Sequence, residues 1–89
     1  MRIVFHHTHA YPGCRATVAD AEDSAAVEAE FSDGARPAAR VVQAGTDEMT
    51  VEIAAYGTAR GTAIPAKRWI LRRVAGEGWK VVRRADAQR

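Results

Sequence analysis

The chain has 89 residues and a net charge of +2, so it has room for one domain with one core. Its hydrophobic residues include 19 alanines, nine valines and four isoleucines but one leucine, which favours β-branched packing in a sheet. No apolar run reaches the ~20 residues of a membrane span or the ~7–15 of a signal-peptide core, and one cysteine excludes an internal disulfide. We therefore expect a cytoplasmic protein with no membrane segment.

The charge is unevenly distributed along the chain. Residues 1–59 carry four basic and nine acidic side chains, whereas residues 60–89 carry nine basic and two acidic ones. Such asymmetry is typical of an anion-binding surface, and also of an acidic half that packs against a basic half within one domain. The sequence leaves both interpretations open.

The first segment alternates between two faces from Arg2 to His9, which predicts a strand. Tyr11-Pro12-Gly13-Cys14 then predicts a type II turn, because proline presets φ at the second position and glycine accepts a positive φ at the third. If this turn folds the chain back as a hairpin, His9 lies opposite Ala16.

Residues 15–34 fit two structures. A helix over about 18–31 would have a capping box at Thr17 and Asp20 and a glycine after its end. Two strands, at 15–19 and 27–31, fit the alternation that ends in the turn signal Ser32-Asp33-Gly34. We prefer the strands, because the apolar stripe of the helix would be thin.

The remaining chain predicts four further strands, at about 40–43, 48–56, 67–75 and 79–84, with a loop or irregular edge at 57–65. The expected fold is mainly β, a small antiparallel meander curled into a barrel or sandwich, with an α+β fold containing the 18–31 helix as the alternative. Residues 1–84 form the single domain, and residues 85–89 form a frayed tail.

The final hairpin is joined by Gly76-Glu77-Gly78, with Gly78 in the left-handed conformation. This loop pairs Ala75 with Trp79 and separates an apolar face from a basic one. The predicted core is Ile3, Phe5, Val51, Ile53, Trp69, Leu71, Trp79 and Val81.

The run from Arg68-Trp69-Ile70-Leu71 to Gly78-Trp79-Lys80-Val81-Val82 is similar to the closing hairpin of the nuclear-transport-factor-like and SnoaL-like families. The resemblance implies a cone-shaped α+β domain that begins with long helices around a ligand pocket. It covers about 15 of the 89 residues, and it assigns no function or site residue to this chain.

One candidate site is a metal centre near the N-terminus. His7 and His9 share a strand face in the predicted hairpin, and Cys14 lies diagonal to His9 on that face. Three such ligands with one open position are how catalytic zinc is held, although no fourth ligand is evident. The alternative is that these histidines are half-exposed polar residues and that Cys14 is a small buried side chain.

The second candidate is an anion-binding face on the final hairpin. The predicted register places Arg68, Arg72, Lys80 and Arg84 on one face, with Arg60 near it in the 57–65 loop. A basic face of this kind can follow a phosphate backbone, although the two tryptophans are expected in the core and not among the cations. An ordinary solvated face or a protein-docking face fits equally.

We therefore expect a small non-enzymatic binding module that contacts an anionic partner through the basic hairpin, with a zinc-binding domain as the alternative. The partner would be a protein or a nucleic acid, and no other cofactor is expected. A second copy of the chain could also pair with the strand edges that a short meander leaves open.

Overall fold

A computed structural model describes residues 1–19 and 27–85, and these residues form strands, turns and loops with no helix. The nine strands are β1 (Arg2–Phe5), β2 (Arg15–Ala19), β3 (Glu28–Glu30), β4 (Ala39–Ala44), β5 (Glu48–Ile53), β6 (Tyr56–Gly57), β7 (Ala63–Ile64), β8 (Lys67–Val74) and β9 (Gly78–Ala85). No helix in the described part of the chain has the length and hydropathy needed to cross a bilayer.

Seven strands form one sheet in the order β3-β1-β2-β9-β8-β5-β4, curled into a nearly closed barrel, and β6 pairs with β7 separately. The predicted mainly β barrel is thus confirmed. Most pairs are antiparallel, but β3 is parallel to β1. The sheet edges β3 and β4 meet through one isolated bridge between Glu28 and Ala38, which makes this junction the seam of the barrel.

The alternative helix over 18–31 is wrong at the positions within it that the structure describes. Val18 and Ala19 belong to β2, and Glu28 to Glu30 form β3, whose middle residue Ala29 is 2% exposed. The alternating side chains of β3 bury one face against the core, which a thin helical stripe would not achieve. Residues 20–26, the centre of that helix, lie outside the described residues.

The last hairpin has a three-residue loop, but the loop is Ala75-Gly76-Glu77. Val74 pairs with Gly78, and Trp79 lies opposite Arg73 instead of Ala75. This shift of one residue on each strand preserves the predicted faces between the loop and the Leu71–Val81 pair, so Leu71 and Val81 still point inward. Ala85, predicted to begin a frayed tail, is the last residue of β9, and the rest of that tail lies outside the described residues.

The barrel interior holds seven of the eight predicted core residues, and Trp79 packs against it half-buried. Five further buried residues were not predicted: Ala16, Ala29, Phe31, Met49 and Ile70. Phe31 is the middle ring of an aromatic stack, with ring centroids 4.7 Å from Phe5 and 4.9 Å from Tyr56. This stack ties the loop after β3 and the strand β6 to the core.

Strand directions place the long loops at one end of the barrel. Residues 6–14, 31–38 and 54–66 all connect strands at this end. We call it the long-loop end. The predicted residues His7, His9 and Arg60 lie there.

Candidate functional site

The basic face of the final hairpin is paired with carboxylates from the first half of the chain. Glu48 of β5 lies directly opposite Arg72 of β8, and the Arg72 Nη2 atom is 2.8 Å from Glu48 Oε2. The neighbouring Arg73 Nη2 atom is 2.7 Å from Asp47 Oδ1. The antiparallel register of β5 and β8 therefore places acidic and basic residues in cross-strand pairs.

Glu52 lies in a row of three charges across β4, β5 and β8. Its carboxylate accepts hydrogen bonds from Arg40 Nε at 2.6 Å and from Arg68 Nε at 3.1 Å. These two guanidinium groups hold the pKa of Glu52 below its ordinary value. The Glu52 carboxylate thus balances part of the charge of Arg68.

Lys80 has a partner in the hairpin loop itself. Its Nζ atom is 2.8 Å from Glu77 Oε1, and the same oxygen is 3.5 Å from Arg15 Nη2. The contact with Lys80 lowers the pKa of Glu77. Glu77 therefore pairs with Lys80 of its own half of the chain and with Arg15 of the acidic half.

The five residues predicted to bind an anion do not form one surface. Arg68, Arg72 and Lys80 each pair with a carboxylate, as described above. A β-bulge with Val82 as the extra residue shifts the register, so Arg84 lies opposite Trp69 and leaves the row of Arg72 and Lys80. Arg60 lies apart from all four, in the turn between β6 and β7.

Arg60 belongs to a cleft at the long-loop end with a volume of about 600 Å³. Its lining includes Thr8, His9, Asp33, Thr58, Arg60 and Thr62. A narrower pocket adjoins it, because His9 and Ile64 line both, and Lys67 and the aromatic rings of Phe31, Tyr56 and Trp69 line the narrower one. Polar and charged side chains thus line the larger space, and aromatic rings with Lys67 line the smaller one.

The turn that carries Arg60 is held in a fixed shape. Thr58 N donates to Thr62 O at 2.9 Å, and Gly61 N donates to Thr58 O at 2.9 Å. Gly61 has a φ of 89°, a conformation that favours glycine. The hydrogen bonds and the glycine together define where the Arg60 side chain leaves the backbone.

Asp33 connects this turn to the loop that follows β3 through hydrogen bonds. Its Oδ2 atom accepts a hydrogen bond from Ala59 N at 2.9 Å, and Oδ1 accepts one from Ala35 N at 3.2 Å. These two backbone donors lower the pKa of Asp33. Asp33 therefore has a positioning role, and both of its oxygens are engaged by the backbone.

Three rings form a second feature of the long-loop end. The Tyr11 ring lies 5.1 Å from the His7 ring and 5.4 Å from the His9 ring, centroid to centroid, at steep angles of 63° and 50°. His7 and His9 are exposed, whereas Tyr11 is half-buried. We call these three residues the ring cluster.

The predicted zinc ligands are not brought together. β1 ends at Phe5, which pairs with Ala16, so His7 and His9 lie in a loop and not on a strand face opposite Cys14. The turn at Tyr11 to Cys14 does form, with Cys14 N donating to Tyr11 O at 3.1 Å, but it closes a loop longer than a tight hairpin. Among residues 1–19 and 27–85, no three His, Cys, Asp or Glu side chains converge to hold a metal ion.

Cys14 is a core residue with 1% of its surface exposed. Burial raises the pKa of its thiol, which disfavours the reactive thiolate. The prediction of a small buried side chain is confirmed at this position.

Sequence reasoning missed the role of Asp33 and the ring cluster. The turn signal around Asp33 was visible, but its bond to Ala59 depends on how the β6-β7 turn folds over the barrel.

No known protein family matches the chain, and no curated protein or solved structure shows significant similarity to it. The resemblance of the final hairpin to cone-shaped α+β domains gains no support, since residues 2–5 and 15–19 are strands.

Proposed function

We propose that this protein is a non-enzymatic binding module that takes an anionic partner at the long-loop end of its barrel. The observation that carries the proposal is the position of the basic side chains that form no salt bridge with a carboxylate. Within the described ranges, Arg60, Lys67 and Arg83 form no salt bridge, and of these Arg60 lines the cleft and Lys67 lines the adjoining pocket. The hairpin cations Arg68, Arg72 and Lys80 instead contact acidic side chains.

The proposed partner is anionic, as expected from the sequence. The proposed binding surface is the long-loop end and not the face of the final hairpin. The positive charge of an ion-paired arginine such as Arg72 is partly offset by its carboxylate, whereas Arg60 forms no such pair with a described carboxylate. The Asp33 carboxylate lines the same cleft, but its oxygens accept hydrogen bonds from Ala59 and Ala35. The buried Cys14 thiol supports a role without nucleophilic catalysis, and a free thiol accords with a cytoplasmic location.

The test compares two substitutions that remove the same charge. Arg60→Gln and Arg72→Gln each lower the net charge by one, but only Arg60 lies in the cleft. Binding of a mixed-sequence single-stranded oligonucleotide and of polyglutamate is measured at several salt concentrations. For the probe that binds, Arg60→Gln should weaken binding and reduce the slope of log affinity against log salt by about 1.

Arg72→Gln is the matched control and should leave the affinity nearly unchanged, because Arg72 already contacts Glu48. Circular dichroism establishes that both variants are folded. Equal weakening by the two variants would show that only net charge matters, and failure of both probes to bind would remove the proposal.

A further inference from the structure

The ring cluster adjoins the cationic cleft through His9. This residue contacts the Tyr11 ring and also lines both the cleft that contains Arg60 and the pocket that contains Lys67. The His9 ring and the Arg60 side chain therefore line the same cleft, and Lys67 lies in the neighbouring pocket that His9 also lines.

The rings are held in place although two of them are exposed. Tyr11 packs against the core, and its ring contacts the rings of both His7 and His9. The His9 Nδ1 atom also lies 3.3 Å from the hydroxyl of Thr8. An exposed ring that is already positioned loses less conformational entropy when a ligand stacks on it.

Aromatic rings beside cations suit a single-stranded nucleic acid better than an acidic protein as the anionic partner. An acidic protein supplies carboxylates to Arg60 and Lys67 but has no particular need for exposed rings. A single-stranded nucleic acid supplies phosphates for the cations and unpaired bases that stack on aromatic side chains, including histidine. A duplex would keep its bases stacked on each other and away from the rings.

We infer that the anionic partner is a single-stranded nucleic acid, with a base stacked on the ring cluster at His9 and a neighbouring phosphate at Arg60. This inference rests on the proposed function and specifies the partner of the same site. The cleft volume of about 600 Å³ lies within the range of known ligand pockets and has room for a nucleotide.

The test uses a short mixed-sequence single-stranded oligonucleotide and an abasic oligonucleotide of the same length, with affinities measured by fluorescence anisotropy. Base stacking predicts that His9→Ala weakens binding of the base-bearing strand by about fivefold or more. Binding of the abasic strand should be weaker in the wild-type protein and insensitive to His9→Ala. His9→Phe, which keeps a ring, should retain the affinity of the wild-type protein within about twofold.

His6→Ala is the matched control. His6 lies in the same loop and is exposed, but its Nε2 atom contacts the Thr17 hydroxyl at 2.8 Å and its ring does not stack on Tyr11. This variant should leave both affinities unchanged.

The outcomes separate this inference from the proposed function. Equal affinity for the abasic and base-bearing strands would overturn base stacking and leave an anion-binding module. Binding of polyglutamate but of neither strand would identify an acidic protein as the partner and overturn the nucleic acid. Failure of every anionic probe would overturn both.

Discussion

Replacement of Phe31 by leucine removes the middle ring of the aromatic stack while most of the buried volume remains. Phe31 is 1% exposed and stacks on Phe5 and Tyr56 at interplanar angles of 10° and 18°. An aromatic pair contributes about 0.5–1.5 kcal/mol beyond the area it buries. Loss of both pairs should therefore lower the free energy of unfolding by about 1–3 kcal/mol.

Phe5→Leu is the matched control for this prediction. Phe5 is fully buried, but its ring stacks on Phe31 alone among the described rings. Both substitutions remove the same side-chain volume from fully buried positions, so their transfer and cavity costs should be similar. The difference between the two variants should therefore isolate the Phe31–Tyr56 pair, at about 0.5–1.5 kcal/mol.

Urea unfolding followed by far-ultraviolet circular dichroism gives both free energies. The slopes of the unfolding transitions should agree between the variants, so that midpoints can be compared directly. A Phe5→Leu variant that is as destabilised as Phe31→Leu, or more so, would refute the additive role of the stack.

Three further predictions concern the core and the charged groups. Trp69→Ala should cost about 3–5 kcal/mol, because Trp69 is 7% exposed, and an amide spectrum like that of the wild-type protein would contradict the core assignment. Acid should destabilise the fold, because arginine or lysine partners lower the pKa values of Glu30, Glu52 and Glu77 below the ordinary 4.5. Their contribution is present above that value and is lost as the pH falls through the folded-state pKa values, so urea midpoints that do not change on acidification would refute it. Burial raises the pKa of Tyr56 to about 12, so ultraviolet titration should show a late phenolate step that Tyr56→Phe abolishes. The folded state retains the proton of Tyr56, so its stabilising effect should be lost as the pH rises from 10 towards about 12.

Alternation along the chain was sufficient to predict the strands of the barrel. The predicted strand 15–19 is β2, and the predicted strand 27–31 is β3 with the shorter range Glu28–Glu30, because small and apolar side chains recur at every second position. The pairing of β3 was not predictable in the same way. A short alternating segment fits an antiparallel or a parallel neighbour equally, and only the closed barrel places Glu28 to Glu30 beside β1.

The candidate site was predictable only in part, for reasons that concern single residues. Arg72 was correctly placed on the outer face, but its partner Glu48 depends on the register of β8 with β5, two segments far apart in sequence. The bulge at Val82 inserts one residue and moves Arg84 out of the row. The sequence indicates His9 as a metal ligand, whereas its tilted ring contact with Tyr11 requires the wide loop that replaces the expected tight hairpin.

The seam of the barrel has a consequence for how the molecule opens. β3 and β4 meet through one bridge, whereas β8 pairs along most of its length with both β5 and β9. Separation at the seam therefore breaks the fewest backbone hydrogen bonds, and amide hydrogens there should exchange with solvent sooner than those of β8. Such opening would present two unpaired strand edges at once, which is the arrangement through which two copies could exchange strands. A homo-oligomer that pairs through strand edges, which the sequence allows, stays a prediction, and the seam is where its first contacts would form.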